Sequence, residues 1–250
     1  MISWHDPALF LVALFAGVLN SIAGGGSFFT FPTLLWAGLN PIIANATNTL
    51  ALFPGSFISA WAYRHDMTLA QQKLPVIRLA LISVAGGILG SVLLLSTPEH
   101  LFMHAVPWLL SFASLIFIFG NRITAWSLRH FHLSIPGIFF LQFLISIYGG
   151  YFGGGVGILM LAVLSLYGLE DFHSMNGLKT LLAGCMNLMA TLTFVVSGHI
   201  DWHTGGLMMI SATLGGWLGP AIAKKIPQTT LRQLVACVAV ATSIYFFLTT

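Results

Sequence analysis

From Pro7 to Tyr63 the chain runs for 57 residues without an Asp, Glu, Lys or Arg. Drawn as one helix, that stretch measures roughly 85 Å at about 1.5 Å per residue. The hydrocarbon core of a bilayer is only about 30 Å thick, so the stretch must cross or enter a membrane more than once. The remainder of the 250 residues conforms: charged residues make up 6%, hydrophobic ones 57%, and mean hydropathy is +0.93. A soluble domain carries about 25% charged residues to keep its surface wet. The chain therefore reads as an all-α, polytopic integral membrane protein, which excludes soluble enzymes and nucleic-acid binders. Cys185 and Cys237 lie inside apolar runs and imply no disulfide framework. No Lys or Arg precedes the first apolar run, as one would in a signal peptide, so that run is expected to stay in the mature protein.

The chain is written twice. Gly24-Gly25-Gly26 recurs as Gly153-Gly154-Gly155, Gly38-Leu39 as Gly168-Leu169, and Asn45, Thr49 and Leu50 as Asn176, Thr180 and Leu181. Gly86-Gly87-Ile88-Leu89-Gly90 matches Gly215-Gly216-Trp217-Leu218-Gly219, and Pro98 matches Pro227. Any one match is weak, but an ordered series at nearly constant register marks an internal repeat. The reading is a first membrane repeat over 1–120, a cytoplasmic connector over 121–133 and a second repeat over 134–250. Each repeat has four apolar blocks, at 8–38, 43–63, 76–95 and 102–120, then 134–167, 174–197, 204–223 and 231–249.

The first block of each repeat is too long for one span and has a triple glycine near its middle. Each glycine costs a helix interior roughly 1 kcal/mol relative to Ala, so the helix is expected to break there. Basic residues test how the broken block runs. They fall in four groups, namely Arg64/Lys73/Arg78, Arg122/Arg129, Lys179 and Lys224/Lys225/Arg232. If blocks one and five each cross the membrane once, these groups split between its two sides. If each block enters, turns at its glycines and leaves on the same side, all nine face one compartment, the cytoplasm by the positive-inside rule. The second arrangement predicts re-entrant hairpins, both termini outside, and two repeats of opposite orientation.

Inverted repeats with broken helices hold substrates near the bilayer midplane in transporters. A helix that starts inside the membrane offers unpaired N–H groups and the positive end of its dipole, and glycines let an anion approach closely. The candidate anion-binding residues are therefore Gly24, Gly25, Gly26 and Ser27 in one turn and Gly153, Gly154, Gly155 and Gly157 in the other. The polar openings of the second blocks add Asn45, Thr47, Asn48 and Thr49, and Asn176, Lys179 and Thr180. Lys179 aligns with Asn48 and would supply charge. A plainer reading has Asn45 and Asn176 capping their helices while Lys179 snorkels to the interface or pairs with Glu170 or Asp171. The GxxxG pairs Gly86/Gly90 and Gly215/Gly219 read as helix packing, and Gln142 and Asn187 as helix–helix hydrogen bonds. His199-Ile-Asp-Trp-His203 and His130-Phe-His132 fall at interfaces, with no cysteine beside them to make a metal site.

The segments AGVLNSIAGGGSFFTFPTLLWAGL and ATNTLALFPGSFISAWAY, with their echoes FGGGVGILMLAVLSLYGL and NGLKTLLAGCMNLMATLTFVVSGHIDW, resemble the TauE/SafE sulfite exporter family, also called the toluene sulfonate uptake permease family. The first turn reads GGGS where a fourth glycine is more typical of the family. The resemblance covers essentially the whole chain. It implies a multi-pass transporter of a bacterial-type inner membrane, acting on sulfite, sulfonates or related small sulfur-containing anions. The expected function is secondary transport of such an anion, with membrane lipid and a coupling ion, proton or sodium, as the other partners. The alternative is an anion channel or an integral-membrane enzyme. No converging nucleophile and base, nucleotide-binding motif or cofactor site stands in the apolar blocks, so no enzyme activity and no cofactor are expected.

Overall fold

The computed structural model describes residues 5–22, 24–67, 74–130, 135–166, 169, 171–223 and 228–249. Lys73, His132, Gly168, Glu170, Lys224, Lys225 and Pro227 lie outside the described residues, as do the side chains of Arg122, Arg129, His130 and Arg232. The described residues form ten helices and no strand. The first half gives α1 (Asp6–Ile22), α2 (Ser27–Trp36), α3 (Pro41–Ala62), α4 (Val76–Ser96) and α5 (Glu99–His130). The second gives α6 (Ile135–Tyr151), α7 (Val156–Leu166), α8 (Phe172–Val196), α9 (Trp202–Ala223) and α10 (Gln228–Thr249). Three of these, Val76–Ser96, Phe172–Val196 and Trp202–Ile222, are long and apolar enough on their own to cross a membrane. The helix α5 runs to His130, past the end expected at 120, because residues 121–130 contain neither Gly nor Pro to stop it.

Both long first blocks are broken at their glycines. The chain leaves α1 at Ile22, and the Gly24 N–H closes back onto the Leu19 carbonyl at 3.1 Å. It leaves α6 at Tyr151, and the Gly153 N–H closes onto the Tyr148 carbonyl at 3.3 Å. Gly24 and Gly153 sit at φ +69° and +77°, the left-handed region that side chains with a Cβ avoid. Beyond the break α2 packs back against α1, with Phe29 edge-on to Phe15 at 5.2 Å. Beyond the second break, the Tyr148 hydroxyl of α6 donates to the Gly154 carbonyl at 2.6 Å.

Helix starts follow local chemistry. The Asn40 side chain accepts from the Ile42 N–H at 3.0 Å with Pro41 as first helical residue. Asp171 accepts from Ser174 at 2.6 Å to open α8, and Asp201 accepts from Thr204 at 2.8 Å to open α9. Asn45 and Asn176 are thus not caps: each lies in the second turn of its helix, because Pro41 and Asp171 start the helices earlier than the apolar pattern alone indicates.

The halves interlock in a repeated pattern. Helix α1 packs on α9 while α6 packs on α4; α3 meets α9 while α8 meets α4; α2 meets α10 while α7 meets α5; and α3 and α8 pair at the centre. Glycines set the closest approaches. A Cβ at Gly87 would lie 2.5 Å from the Met186 carbonyl oxygen, and one at its register partner Gly216 would lie 2.6 Å from that of Gly55. Gly86 and Gly90 of α4 likewise abut α6, and Gly215 and Gly219 of α9 abut α1, so the GxxxG pairs are packing positions. The distribution of polarity is that of a protein dissolved in lipid. Ile77, Leu81, Leu115, Phe140, Val196 and Leu248 are exposed, while Asn45, Thr47, Asn48, Gln142, Lys179 and Thr180 are buried.

Candidate anion site

Between the central pair and the two glycine breaks lies one small, partly polar cavity. Its lining is built from pairs that share the repeat register: Ser27 with Val156, Asn48 with Lys179, Thr49 with Thr180, Leu52 with Ala183, and Ser56 with Asn187. Asn20, Gly153 and Gly157 complete it. The first residue of α2 (Ser27) and the first two of α7 (Val156 and Gly157) therefore face the same space. Among the described residues nothing accepts from the N–H groups of Gly154, Gly155 and Gly157, which are orphan donors of a helix start.

Lys179 governs the electrostatics. It is 1% exposed, so it does not snorkel. Its ammonium donates to the carbonyls of Asn20 and Ser21, both at 3.2 Å, and to Asn176 Oδ1 at 2.7 Å. Asn20 and Ser21 belong to the last turn of α1, where the broken helix exposes carbonyls and the negative end of its dipole. The lysine from the second half thus closes the cut end of a helix from the first. Of its two expected acidic partners, Asp171 caps α8 instead, Glu170 lies outside the described residues, and the Asp6 carboxylate pairs with His203 at 3.3 Å. In the other half, Asn45 donates its Nδ2 to the carbonyl of Tyr151, the last residue of α6, at 3.0 Å. Each repeat therefore caps the broken helix of the other.

Asn48 takes a different role from its partner Lys179. It donates to Ser27 Oγ at 3.1 Å and accepts from the Thr30 hydroxyl, which fixes the start of α2. Thr49 and Thr180, which also line the cavity, return their hydroxyls to carbonyls one turn back, at 2.9 and 2.8 Å.

Of the residues picked out by sequence, the cavity brings together Ser27, Asn48, Thr49, Gly153, Gly157, Lys179 and Thr180. Gly24 stands directly behind Gly157. Gly25 and Gly155 carry φ +119° and +70° and shape the two turns; Gly26 packs on the Ala16 carbonyl, Gly154 against the Phe152 ring, and Asn45 and Asn176 serve as described. Thr47 lies away from the cavity and accepts from the Asp201 N–H at 3.1 Å. Asn20, Ser56 and Asn187 are cavity residues that the sequence reading left out or gave to packing. The repeat register supplied a signal for two of them, since Ser56 and Asn187 continue the faces of Asn48/Leu52 and Lys179/Ala183 at four-residue steps.

Comparison with known proteins agrees in kind. The family model described as "Sulfite exporter TauE/SafE" matches residues 9–246. The chain is similar to the probable membrane transporter protein YfcA of Escherichia coli (strain K12), 29% identical over 239 residues, covering 94% of this chain and 87% of that one. It is also similar to the probable membrane transporter protein ORF9 of Sinorhizobium sp, 32% identical over 241 residues with 94% and 90% covered. A probable membrane transporter protein of Haemophilus influenzae is 29% identical over 230 residues. No solved structure matches.

Proposed function

The chain belongs to the sulfite exporter TauE/SafE family, and on that premise we propose that it is a secondary transporter of small sulfur-containing anions, held between its two repeats at the N-termini of α2 and α7. Membership, with relatives named as probable membrane transporters, supports a membrane transporter over an enzyme. The observation that carries the anion reading is that both half-helix starts line one cavity beside a buried ammonium. Carbonyls satisfy that ammonium's hydrogens but leave its net charge in a low-dielectric interior, which is costly until an opposite charge arrives. A sulfite or sulfonate group brings that charge together with oxygens that accept from the Ser27 hydroxyl and the orphan Gly157 N–H at the start of α7.

In this reading α1–α2 and α6–α7 are re-entrant hairpins, the repeats are inverted, and the protein spans a bacterial-type inner membrane many times. Lys179, being buried, leaves the loop-charge argument. The other eight basic residues still fall on one side when each hairpin returns to the face it entered from. The test is purified protein reconstituted in liposomes and offered sulfite, thiosulfate, sulfoacetate and taurine. Saturable uptake accelerated by the same solute trapped inside is expected of a carrier. Ohmic current would reassign the protein as a channel, and neither flux nor binding of any of the four would sink the sulfur-anion reading.

A further inference from the structure

Six buried side-chain atoms among the described residues lack a hydrogen-bond partner, and four of them, Ser21 Oγ, Tyr63 OH, His173 Nδ1 and Ser174 Oγ, gather at one end of the central helix pair. Tyr63 ends α3 and is fully buried, with its ring 6.0 Å from that of His173 at the start of α8. Its hydroxyl is turned toward Ser21, whose carbonyl holds the Lys179 ammonium. His173 is partly exposed. Unpartnered donors and acceptors so placed are completed by water in buried polar sites.

The repeat register shows that this end is special. Tyr63 corresponds to Phe194, His173 to Ile42 and Ser174 to Ile43, so these three positions are apolar at the matching end. Helix packing alone gives no reason to place a phenol, an imidazole and a hydroxyl at these positions of one end and hydrocarbon at the same positions of the other. Among the described residues the charged groups around the polar end are Asp66, near Tyr63, Arg64, stacked over Trp61, and Asp171, engaged as the cap of α8.

We infer that Ser21, Tyr63 and His173, joined by water, form a proton path between Lys179 and the compartment at the C-terminal end of α3, so that anion transport is proton-coupled. The inference rests on the transport reading above and names its coupling ion. With an anion in the cavity the ammonium is paired. When the anion leaves, an N–H bond of Lys179 breaks and its proton passes to water at Ser21. The Ser21 and Tyr63 hydroxyls each accept one proton and release one, and His173 accepts the last at its buried Nδ1 and releases one from Nε2 to solvent. Rebinding runs the sequence backwards. No charge is stranded in the interior at either stage.

The test uses liposomes holding the full-length protein and a trapped pH indicator, with the same four sulfur compounds as probes and protein-free liposomes as the blank. Tyr63→Phe and His173→Gln keep size and shape. Anion counterflow, which needs no net proton movement, is expected to stay within about threefold of wild type and so vouches for folding. Anion-dependent proton flux is expected to fall at least tenfold in both variants. Undiminished proton flux in a variant that still exchanges anion would overturn the path. So would wild-type counterflow with no proton movement, or uptake driven only by sodium. Wild type exchanging none of the four would instead remove the transport reading itself.

Discussion

Gly24 and Gly157, from opposite halves of the chain, meet backbone to backbone: a Cβ on Gly24 would lie 2.8 Å from the Gly157 Cα, and one on Gly157 would lie 2.9 Å from the Gly24 Cα. The two glycine breaks thus touch directly beside the cavity. Overpacking at such a contact costs typically about 1–3 kcal/mol, and at Gly24 the positive φ adds to it. Gly24→Ala is therefore expected to lower the unfolding temperature in detergent clearly more than Gly157→Ala. Gly206→Ala, a helical position with open space around it, should leave it unchanged or raise it. Equal effects at all three would mean the approach is looser than described.

Lys179 and Asn45 perform matching structural duties but only Lys179 lines the cavity. Lys179→Gln keeps polarity and removes charge, so anion affinity is expected to fall at least about tenfold, the scale of one charge-assisted hydrogen bond. Lys179→Arg should lose less, because the charge remains. Asn45→Ala should destabilise the protein by about 1 kcal/mol and leave affinity nearly unchanged. Titration calorimetry on monodisperse protein, paired with thermal unfolding, separates the two effects; a fully active Lys179→Gln would remove the lysine from the binding site.

Asn48 holds Ser27 and Thr30 at the start of α2. Asn48→Ala frees the Ser27 hydroxyl and should weaken anion binding roughly five- to tenfold, about 1–1.4 kcal/mol. Thr47→Val, which touches the α9 entry instead, should have little effect on binding. Equal losses from both would indicate a general loosening of α3.

Gly87 and Gly216 seat α4 on α8 and α9 on α3. Gly87→Leu must push a side chain into the Met186 carbonyl, so expression of folded protein should collapse, whereas Gly38→Leu, a turn glycine in open space, should strain only the end of α2. Size-exclusion profiles of the two membrane extracts give the comparison.

Reporter fusions at residues 133 and 250 should report opposite sides of the membrane, as the inverted arrangement requires. The same side for both would end that arrangement while leaving the helix packing untouched.

What was legible in the sequence was whatever has a local cause. The breaks at Gly24 and Gly153 follow from glycine runs inside apolar segments, and the pairing of positions such as Asn48 with Lys179 follows from the repeat. The partners of Lys179 were not legible, because backbone carbonyls of Asn20 and Ser21 carry no side-chain signature and become acceptors only where the helix is cut. Asn20 was missed for the same reason: its importance lies in which face of α1 turns inward. The helix starts of α3 and α8 were placed late, since Asn40-Pro41 and Asp171 are polar punctuation that an apolar tally skips.

The exchange of caps between the halves also sets an order of manufacture. The cut end of α1 emerges from the ribosome 159 residues before the lysine that closes it, roughly 8 to 32 seconds at about 5–20 residues per second. For that interval its last carbonyls have no permanent partner, and no hydrocarbon environment tolerates them bare. The α1 hairpin must wait in a wet or chaperoned place, at the insertion machinery or the headgroup layer, until α8 is made. A nascent chain stalled before residue 179 should therefore leave its first glycine turn open to water-soluble labels that the finished protein excludes.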